Sequence, residues 1–298
     1  MIEPLVKRWN RWRYLQISRA VLGTPPIPAD GGDVVIFSML TGRHILMYLF
    51  AAKSLYAHLR SGRFVVLDDG SMSEEDREVL RRHLKGVRLL HIDQVERGPV
   101  PRGGCWERLL TLCDLAQDSY VVQLDADTLT VAGVEEVARH VAANRSFTLV
   151  SEGDADIRPI EAAVAVAKKA PSAEHVQVLA ERSFERLPNA AGKRYVRGCA
   201  GFAGYARGSL SREQINEFSV AMGGLLGPRW SEWGTEQVAS NYLVANAPHS
   251  VILPIQKYRN YEGQGTDRGA AFLHFIGSHR FADATYRTRS LDLVAALA

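Results

Sequence analysis

This chain of 298 residues has few cysteines, no long apolar run and no large net charge, and each of these features excludes a class of protein. Its three cysteines, Cys105, Cys113 and Cys199, are too few and too irregularly spaced for a disulfide framework or a zinc cluster. No stretch reaches the roughly 18 to 20 uninterrupted apolar residues that a membrane span needs, and the start lacks the apolar core of a signal peptide. We therefore expect a cytoplasmic protein without a membrane-spanning segment.

The composition is that of a globular protein, with 46% hydrophobic and 23% charged residues. The formal net charge of +3 is unevenly placed, because residues 1–20 sum to +4 and the rest of the chain to −1. No basic stripe continues into the body of the chain, so we expect no nucleic-acid partner.

The basic start also carries a group of apolar side chains. Leu5, Val6, Trp9 and Trp12 fall near one side of a helix over residues 1–20. The commoner arrangement is a leading helix that packs its tryptophans on the domain and leaves its arginines in water. The alternative is an amphipathic helix that makes a peripheral contact with the inner membrane surface or with an acidic partner.

Proline and glycine mark the boundary of the main domain. Prolines at 25, 26 and 28, followed by Asp-Gly-Gly at 30–32, predict a stiff linker. We therefore expect an N-terminal helix and linker over residues 1–32, one large domain over 33–285 and a tail over 286–298.

Strands and helices alternate in the first half of that domain. The predicted strands are 33–39, 63–67, 87–92 and a strand ending at Asp125, and the predicted helices are 41–59, 74–84 (capped by Ser73 with Asp76) and 106–116. This order predicts an α/β protein with an open, mostly parallel sheet and a ligand crevice at the carboxyl ends of its strands.

The second half is less regular. Residues 146–151 predict another strand, and residues 160–187 predict helix interrupted by Pro171. Residues 197–208 contain four glycines, which allow the backbone to approach a ligand or another strand closely. Their spacing is not that of a dinucleotide-binding fingerprint.

Two aspartates end the strand Val121-Val-Gln-Leu-Asp125-Ala-Asp127. Alternate side chains of an extended backbone point to the same side, so both carboxylates can face one point past the edge of a sheet. Such a pair suits Mg²⁺ or Mn²⁺, which prefers oxygen ligands and can itself hold a diphosphate. The alternative is a turn or helix-cap pair, because aspartate is common where strands end.

A late segment supplies complementary residues. His274, Gly277 and Arg280 lie within seven residues. A neutral imidazole can complete a metal site, a glycine lets a loop close over a phosphate, and an arginine can pair with that phosphate.

With the aspartate pair, the segment His274-Phe-Ile-Gly277-Ser-His-Arg280 resembles the GT-A-fold glycosyltransferases, most closely family 8, the group that includes glycogenin and galactinol synthase. In that family an Asp-X-Asp element and a late histidine hold Mn²⁺ on the diphosphate of a UDP-sugar, and a lysine contacts the phosphates. The resemblance implies that Asp125, Asp127 and His274 hold Mn²⁺ or Mg²⁺. Gly277 matches the family's glycine, and Arg280 replaces the lysine, which keeps the charge but changes its geometry.

The resemblance covers about residues 33–285 and implies further roles. Glu236 and Gln237 match the residues beside the reacting sugar, which makes them the candidate catalytic residues. His44 falls near the family's base-stacking tyrosine. The implied donor-binding residues are Ser38, Thr41, His44, Asp69, Arg108, Asp125, Gly201, Gly277 and Arg280.

The implied fold is a Rossmann-like GT-A domain, in which helices flank a mostly parallel sheet and the acceptor-side second half is irregular. The implied activity is metal-dependent transfer of a sugar from a nucleotide-sugar, in particular a UDP-sugar, with retention. Glu236 or Gln237 would then stabilise the developing oxocarbenium ion or position the acceptor. An inverting enzyme would need a carboxylate base, for which Glu236, Asp154 and Asp156 are the candidates.

Two other functions and the acceptor stay open. A nucleotidyltransferase would carry a glycine-rich, lysine-bearing loop after the first strand, where residues 38–44 offer only Gly42 and no lysine. A non-catalytic carbohydrate-binding protein is kept open because the family's Asn-Ser before Gly201 is missing. Trp230 and Trp233 suit a wall on which an acceptor sugar stacks, or else belong to the core. The acceptor could be a lipid-linked or lipopolysaccharide glycan, a protein or a small polyol.

Overall fold

The computed structural model describes residues 2–29, 31–151, 156–172, 174–277 and 279–298. Its helices are α1 (Ile2–Ser18), α2 (Ile45–Leu59), α3 (Glu74–His83), α4 (Trp106–Asp118), α5 (Glu135–Ala142), α6 (Ile160–Lys168), α7 (Val176–Ser183), α8 (Arg212–Leu226), α9 (Thr235–Asn246) and α10 (Thr285–Leu297). Its strands are β1 (Val34–Leu40), β2 (Arg63–Asp68), β3 (Arg88–His91), β4 (Tyr120–Leu124), β5 (Thr128–Thr130), β6 (Phe147–Val150), β7 (Arg158–Pro159), β8 (Arg194–Tyr195), β9 (Gly198–Tyr205), β10 (Val251–Ile252), β11 (Tyr258–Asn260) and β12 (Phe272–His274).

A central sheet of seven strands has the order β10-β6-β9-β4-β1-β2-β3. Strand β1 pairs in parallel with β2 and β4, β2 pairs in parallel with β3, and β6 pairs in parallel with β10. Strand β9 runs antiparallel between β4 and β6. The sheet is therefore mostly parallel, which confirms the predicted α/β class.

Side chains of β1 alternate between two apolar cores, one on each face of the sheet. Ile36 belongs to the cluster that includes the buried residues of α2, whereas Val35 and Phe37 belong to the cluster that includes those of α4. All three side chains are fully buried. This is the pattern of a parallel strand that helices cover on both faces.

The two predicted helix starts in the first half differ in outcome. The capping box of α3 is confirmed, because Ser73 Oγ accepts from the Asp76 backbone N–H and the Asp76 carboxylate accepts from the Ser73 N–H. Helix α2 begins at Ile45 and not near Thr41, because residues Gly42–His44 form a 3₁₀ turn. His44 therefore lies in the connection between β1 and α2.

Prolines mark two breaks in the chain. Around Pro171 the helical region divides, since α6 ends at Lys168 and α7 begins at Val176. The proline-rich segment before β1 contacts the domain at two points. The Lys53 ammonium donates to the Pro25 carbonyl, and Ile27 forms a bridge with Leu84.

A second sheet of three strands, in the order β11-β12-β5, ties the late segment to the aspartate pair. Strand β12 runs antiparallel to β5 and parallel to β11, which places His274 opposite both Thr128 and Asn260. The Phe275 N–H donates to the Asp127 carbonyl at 2.8 Å. Backbone pairing thus brings together residues that are almost 150 positions apart in the sequence.

Helix α1 packs only one face on the domain. Tyr14 is buried and stacks on Tyr286 of α10 with ring centroids 4.6 Å apart. Trp9 and Trp12 are 57% and 49% exposed, so the expectation that they pack on the domain is wrong. None of the described helices is long and apolar enough to cross a bilayer.

Candidate functional site

A cleft of about 710 Å³ holds most of the residues singled out from the sequence. Small-molecule sites typically enclose roughly 300 to 1,000 Å³, so the cleft is large enough for a nucleotide-sugar. The candidate residues that line it are Thr41, His44, Arg108, Asp125, Asp127, Gly201, Glu236, Gln237, His274, Gly277 and Arg280.

The three predicted metal ligands converge in this cleft. One ligand atom from each of Asp125, Asp127 and His274 lies within 4.8 Å of the others. Two carboxylate oxygens and one imidazole nitrogen form a donor set that suits Mn²⁺ or Mg²⁺, and the open cleft leaves further positions for substrate oxygens. The residues present therefore fit a divalent cation.

Asp127 is held between two cationic groups. Its carboxylate accepts a hydrogen bond from Arg280 Nη2, and its Oδ1 lies 3.3 Å from His274 Nε2. Burial alone would raise the pKa of Asp127, but the positive charges of His274 and Arg280 outweigh it and hold the pKa at about 2. Asp127 is therefore a fixed negative charge in the cleft.

The orientation of His274 is set by residues that the sequence did not single out. Its Nδ1 lies 3.1 Å from Asn260 Oδ1 and 3.2 Å from Cys199 Sγ. Asn260 donates its amide N–H to Ser151 Oγ at 2.9 Å, which leaves its Oδ1 as an acceptor for a proton on Nδ1. The other nitrogen, Nε2, then faces Asp127 and the cleft. Such outer contacts typically fix a metal-binding histidine.

The pKa of His274 responds to the same neighbours. Burial alone would lower it, but Cys199 and the carboxylate of Asp127 hold the pKa well above its usual range. The negative environment that favours a proton on this imidazole would equally favour a metal cation beside it.

Asp125 belongs to a second ion group around Arg108. The guanidinium donates to Asp125 Oδ1 at 2.9 Å and to Glu236 Oε2 at 2.8 Å. Burial raises the pKa of both Asp125 and Glu236, and the single charge of Arg108 offsets this only in part. Among the described residues, the other oxygen of Glu236 is buried without a hydrogen-bond partner. The buried carboxylate of Glu236 and the partly exposed carboxylate of Asp125 thus share one cation.

Glu236 reaches this group because of the way α9 begins. Gly234 precedes the helix with φ of 102°, a left-handed conformation that glycine adopts without strain. The Thr235 hydroxyl accepts from the indole N–H of Trp106 at 3.1 Å, which fixes the first turn of α9 against α4. Arg108 lies in the first turn of α4, so the two helix starts meet at the ion group.

Gly201 fits the predicted close approach of the glycine-rich segment. It lies in β9, and a Cβ at this position would come within 2.3 Å of the His274 ring. Its carbonyl accepts from the Asp125 N–H at 2.9 Å. Gly277 has no neighbour within 4 Å of such a Cβ, so packing leaves room for a side chain at this position.

Ser38 and Asp69 do not line the cleft. The Ser38 hydroxyl is buried and donates to the Leu124 carbonyl at 2.6 Å. The Asp69 carboxylate accepts from the backbone and hydroxyl of Ser71 in a surface turn. Their assignment to the donor site stays a prediction for which this geometry offers no contact.

Of the two candidate bases for an inverting reaction that the structure describes, Glu236 lines the cleft and Asp156 does not. Asp156 is exposed, with its carboxylate 3.9 Å from the Arg158 guanidinium. Asp154 lies outside the described residues. The two tryptophans near Glu236 also separate, since Trp230 is buried in the core and Trp233 lines the cleft with 72% of its surface exposed.

Comparison with known proteins places the fold. No protein-family model matches the chain, and no curated protein sequence matches it. The apo structure of the bifunctional glycosyltransferase WbbM is similar with a TM-score of 0.59 and 14% identity, covering 92% of this chain and 51% of that one. An active-site mutant of the galactosyltransferase LgtC is similar with a TM-score of 0.53 and 14% identity, covering 88% and 95%. The chain thus spans about half of WbbM. Together with the sheet order, these similarities show the GT-A fold.

Proposed function

We propose that the protein is a metal-dependent glycosyltransferase that uses a nucleotide-sugar, in particular a UDP-sugar, as donor. The observation that carries the proposal is the convergence of Asp125, Asp127 and His274 in one cleft of a GT-A fold. None of the described residues that line this cleft is a lysine, which weighs against a nucleotidyltransferase.

Asp125, Asp127 and His274 would hold Mn²⁺ or Mg²⁺, with Mn²⁺ as the cation that the family resemblance implies. The cation would supply Lewis-acid stabilisation of the negative charge that grows on the leaving diphosphate. Arg280 adds a second positive charge beside Asp127. A cation and a guanidinium that act on charge formed during bond breaking lower the barrier more than they stabilise the bound donor.

Arg108 takes a positioning role in this scheme. Two of its nitrogens donate to Asp125 and Glu236, so we assign it the role of fixing these carboxylates. This assignment differs from the donor contact that the resemblance implies.

The state of Glu236 supports retention. One of its oxygens is held by Arg108 and the other is buried, so neither is open to an acceptor hydroxyl, while the ionised group would place a negative field beside the reacting sugar. That field, with the amide of Gln237 in the cleft lining, would stabilise an oxocarbenium-like sugar while the acceptor approaches the face that the diphosphate leaves. In an inverting reaction Glu236 would have to turn one of these oxygens toward the acceptor and accept its proton.

His44 is the proposed contact for the uracil base. It lines the cleft, and burial together with the positive charges of Arg280 and Arg43 lowers its pKa. The imidazole is therefore neutral at physiological pH and can stack on an aromatic base without a charge.

The test measures release of sugar and nucleotide from a panel of UDP- and GDP-sugars with Mn²⁺, Mg²⁺ or EDTA. We expect metal-dependent hydrolysis of a UDP-sugar, and a loss on the order of 10³-fold for Asp127→Ala, because a bound cation supplies several kcal/mol of transition-state stabilisation. Asp156→Ala is the matched control, since this aspartate is exposed and outside the cleft lining. Unchanged turnover in Asp127→Ala, with the circular dichroism of the folded protein, would refute the proposal.

A non-catalytic glycan-binding protein is the second candidate, and the exposed Trp233 at the cleft favours it. Calorimetry separates the two. A pure binder would bind glycan without Mn²⁺ and UDP, whereas the transferase should bind UDP only when the cation is present.

A further inference from the structure

The outer face of α1 is a continuous apolar stripe. Of the nine large apolar side chains that are exposed among the described residues, five lie on this one helix. They are between 40% and 64% exposed and comprise Leu5, Val6, Trp9, Trp12 and Leu15. The rings of Trp9 and Trp12 are 5.1 Å apart, so their surfaces are contiguous. Contiguous exposed apolar surface marks an interaction site more often than single exposed residues do.

The inner face of α1 holds the stripe in a fixed orientation. Tyr14 and Ser18 are buried, and Asn10 donates its amide N–H to the Phe281 carbonyl at 3.1 Å. The stack of Tyr14 on Tyr286 joins α1 to α10. The helix therefore presents its apolar stripe from a packed base.

Basic residues flank the stripe. With 3.6 residues per turn, Arg8 and Arg13 fall on its two opposite sides, and the Arg13 guanidinium lies over the Trp9 ring at 5.7 Å. Arg8, Arg11 and Arg13 are exposed and, within the described part of the chain, form no ion pair with a carboxylate. From residue 4 to residue 29 the sequence contains no aspartate or glutamate.

We propose that α1 docks the protein on an anionic lipid surface. Tryptophan is favoured at the boundary between headgroups and acyl chains, since its ring is apolar and its N–H can stay hydrated. The flanking arginines would pair with lipid phosphates, which they reach from both sides of the stripe. The helix lies along the surface, as its charged flanks and packed inner face require.

Charge selects this occupant over a second copy of the chain. Two copies that met through the stripe would bring the same arginines against one another, and like charges at close range oppose association. An anionic bilayer satisfies the apolar stripe and the arginines together. The inference is independent of the proposed transferase activity, because none of these residues lines the cleft.

The experiment measures co-sedimentation of the full chain with vesicles of phosphatidylcholine, with and without phosphatidylglycerol. We expect binding to the anionic vesicles that weakens as salt is raised. Trp9→Ser with Trp12→Ser should reduce the partition coefficient at least about tenfold, and Arg8→Gln with Arg13→Gln should reduce both binding and its salt dependence. Trp233→Ser is the matched control, as an exposed tryptophan away from α1, and should bind like the unaltered protein.

Point substitutions are preferable to deletion of the segment, because loss of α1 would expose Tyr286 and the apolar cluster to which Tyr14 and Val21 belong. Equal binding to both vesicle types, or unchanged binding of the tryptophan variant, would overturn the proposal. So would a dimer in analytical ultracentrifugation that the tryptophan variant abolishes, since the stripe would then be an interface between copies.

Discussion

Asp125 and Asp127 are chemically identical and separated by one residue, yet the cleft shifts their pKa values in opposite directions. Asp127 has two cationic partners, His274 and Arg280, and its pKa falls to about 2. Asp125 shares Arg108 with Glu236, and burial raises its pKa. Burial acts on both carboxyls, and their partners differ: Asp127 pairs with His274 and Arg280, whereas Asp125 pairs with an Arg108 that also binds Glu236, and Asp125 itself faces the negative charge of Asp127.

The difference has a structural origin. Asp127 is contacted by His274 of β12 and by Arg280 after it, whereas Asp125 is contacted by Arg108 of α4, which also holds Glu236 of α9. The two aspartates that follow β4 therefore belong to two separate ion groups, whose other members come from different elements. The pair is prepared for a ligand that adds positive charge, since a shared cation would favour the ionised form of both carboxylates.

The largest expected effect on stability comes from removal of Arg108, the residue that Asp125 and Glu236 share. Arg108→Met leaves the buried carboxylate of Glu236 without a counter-ion and removes the ion pair of the partly exposed Asp125, which should lower the free energy of unfolding by about 3 to 5 kcal/mol in urea denaturation at neutral pH. Arg280→Met should cost less, because Asp127 keeps His274. Addition of Glu236→Gln to Arg108→Met should recover part of the loss. Equal losses of unfolding free energy for Arg108→Met and Arg280→Met would contradict the difference between the two aspartate environments.

Arg280 tests the chemistry of the Asp127 group. Arg280→Gln should reduce turnover of the UDP-sugar by about 10²-fold, because it removes a charge-stabilising group at the leaving phosphate. Arg280→Lys should retain more activity, since lysine keeps the positive charge although it loses the geometry of the guanidinium. Steady-state rates of donor hydrolysis provide the measurement, and an unaltered rate in Arg280→Gln would remove this residue from the mechanism.

The two aspartates should respond in opposite directions to neutral substitution when no metal is present. The folded pKa of Asp127, about 2, lies below the usual 3.8, so its ionised form stabilises the fold above pH 3.8 and this contribution is lost as pH falls through 2. Asp127→Asn should therefore lower stability at pH 7 by roughly 2 kcal/mol. The pKa of Asp125 is raised, so its ionised form is disfavoured in the fold at neutral pH, and Asp125→Asn should raise stability there.

Denaturation in EDTA from pH 7 to pH 2 checks both signs. The difference between Asp127→Asn and the unaltered protein should shrink on acidification. Stability changes of the same sign for Asp125→Asn and Asp127→Asn at pH 7 would show that the environments of the two aspartates are alike. Added Mn²⁺ should stabilise the unaltered protein more than either variant.

The smallest expected effect concerns the orientation of His274. Asn260→Ala removes the acceptor for its Nδ1 proton, and such outer partners are typically worth about 10- to 100-fold in metal affinity. We expect the lower end, about tenfold for Mn²⁺ by calorimetry, because Cys199 also contacts Nδ1. Gln177→Ala, at the cleft lining but away from His274, serves as the control. A metal affinity that does not change would mean that Asn260 does not fix the ring.

Local patterns predicted the parts of the molecule that local chemistry determines. The alternation of apolar strands and helices gave the order of β1 to β4, and Ser73 marked the start of α3. The ligand set Asp125, Asp127 and His274 came from a resemblance, since no local rule joins residues so far apart.

The remaining features depend on long-range pairing. The position of β9 between β4 and β6 brings Gly201 against His274, and the register of β11 with β12 brings Asn260 to the same ring. Neither register has a signature within its own segment. The sharing of Arg108 by two carboxylates was missed for the same reason, as α4 and α9 meet only in the folded chain.

The thiol beside His274 makes the cleft accessible to chemical labelling. Cys113 is buried, and burial holds the pKa of Cys105 and of Cys113 at about 11, so both are weak nucleophiles at neutral pH. Cys105 and Cys199 are both partly exposed in the cleft lining, and Cys199 is the one that contacts His274, so its modification by a maleimide would report on the metal-binding part of the cleft. Mass spectrometry of the adduct would then report whether the cleft is occupied, since a ligand over Cys199 slows the modification. The same contact means that oxidation of this sulfur would alter the surroundings of His274, so each preparation needs a reductant before its metal affinity is compared with another.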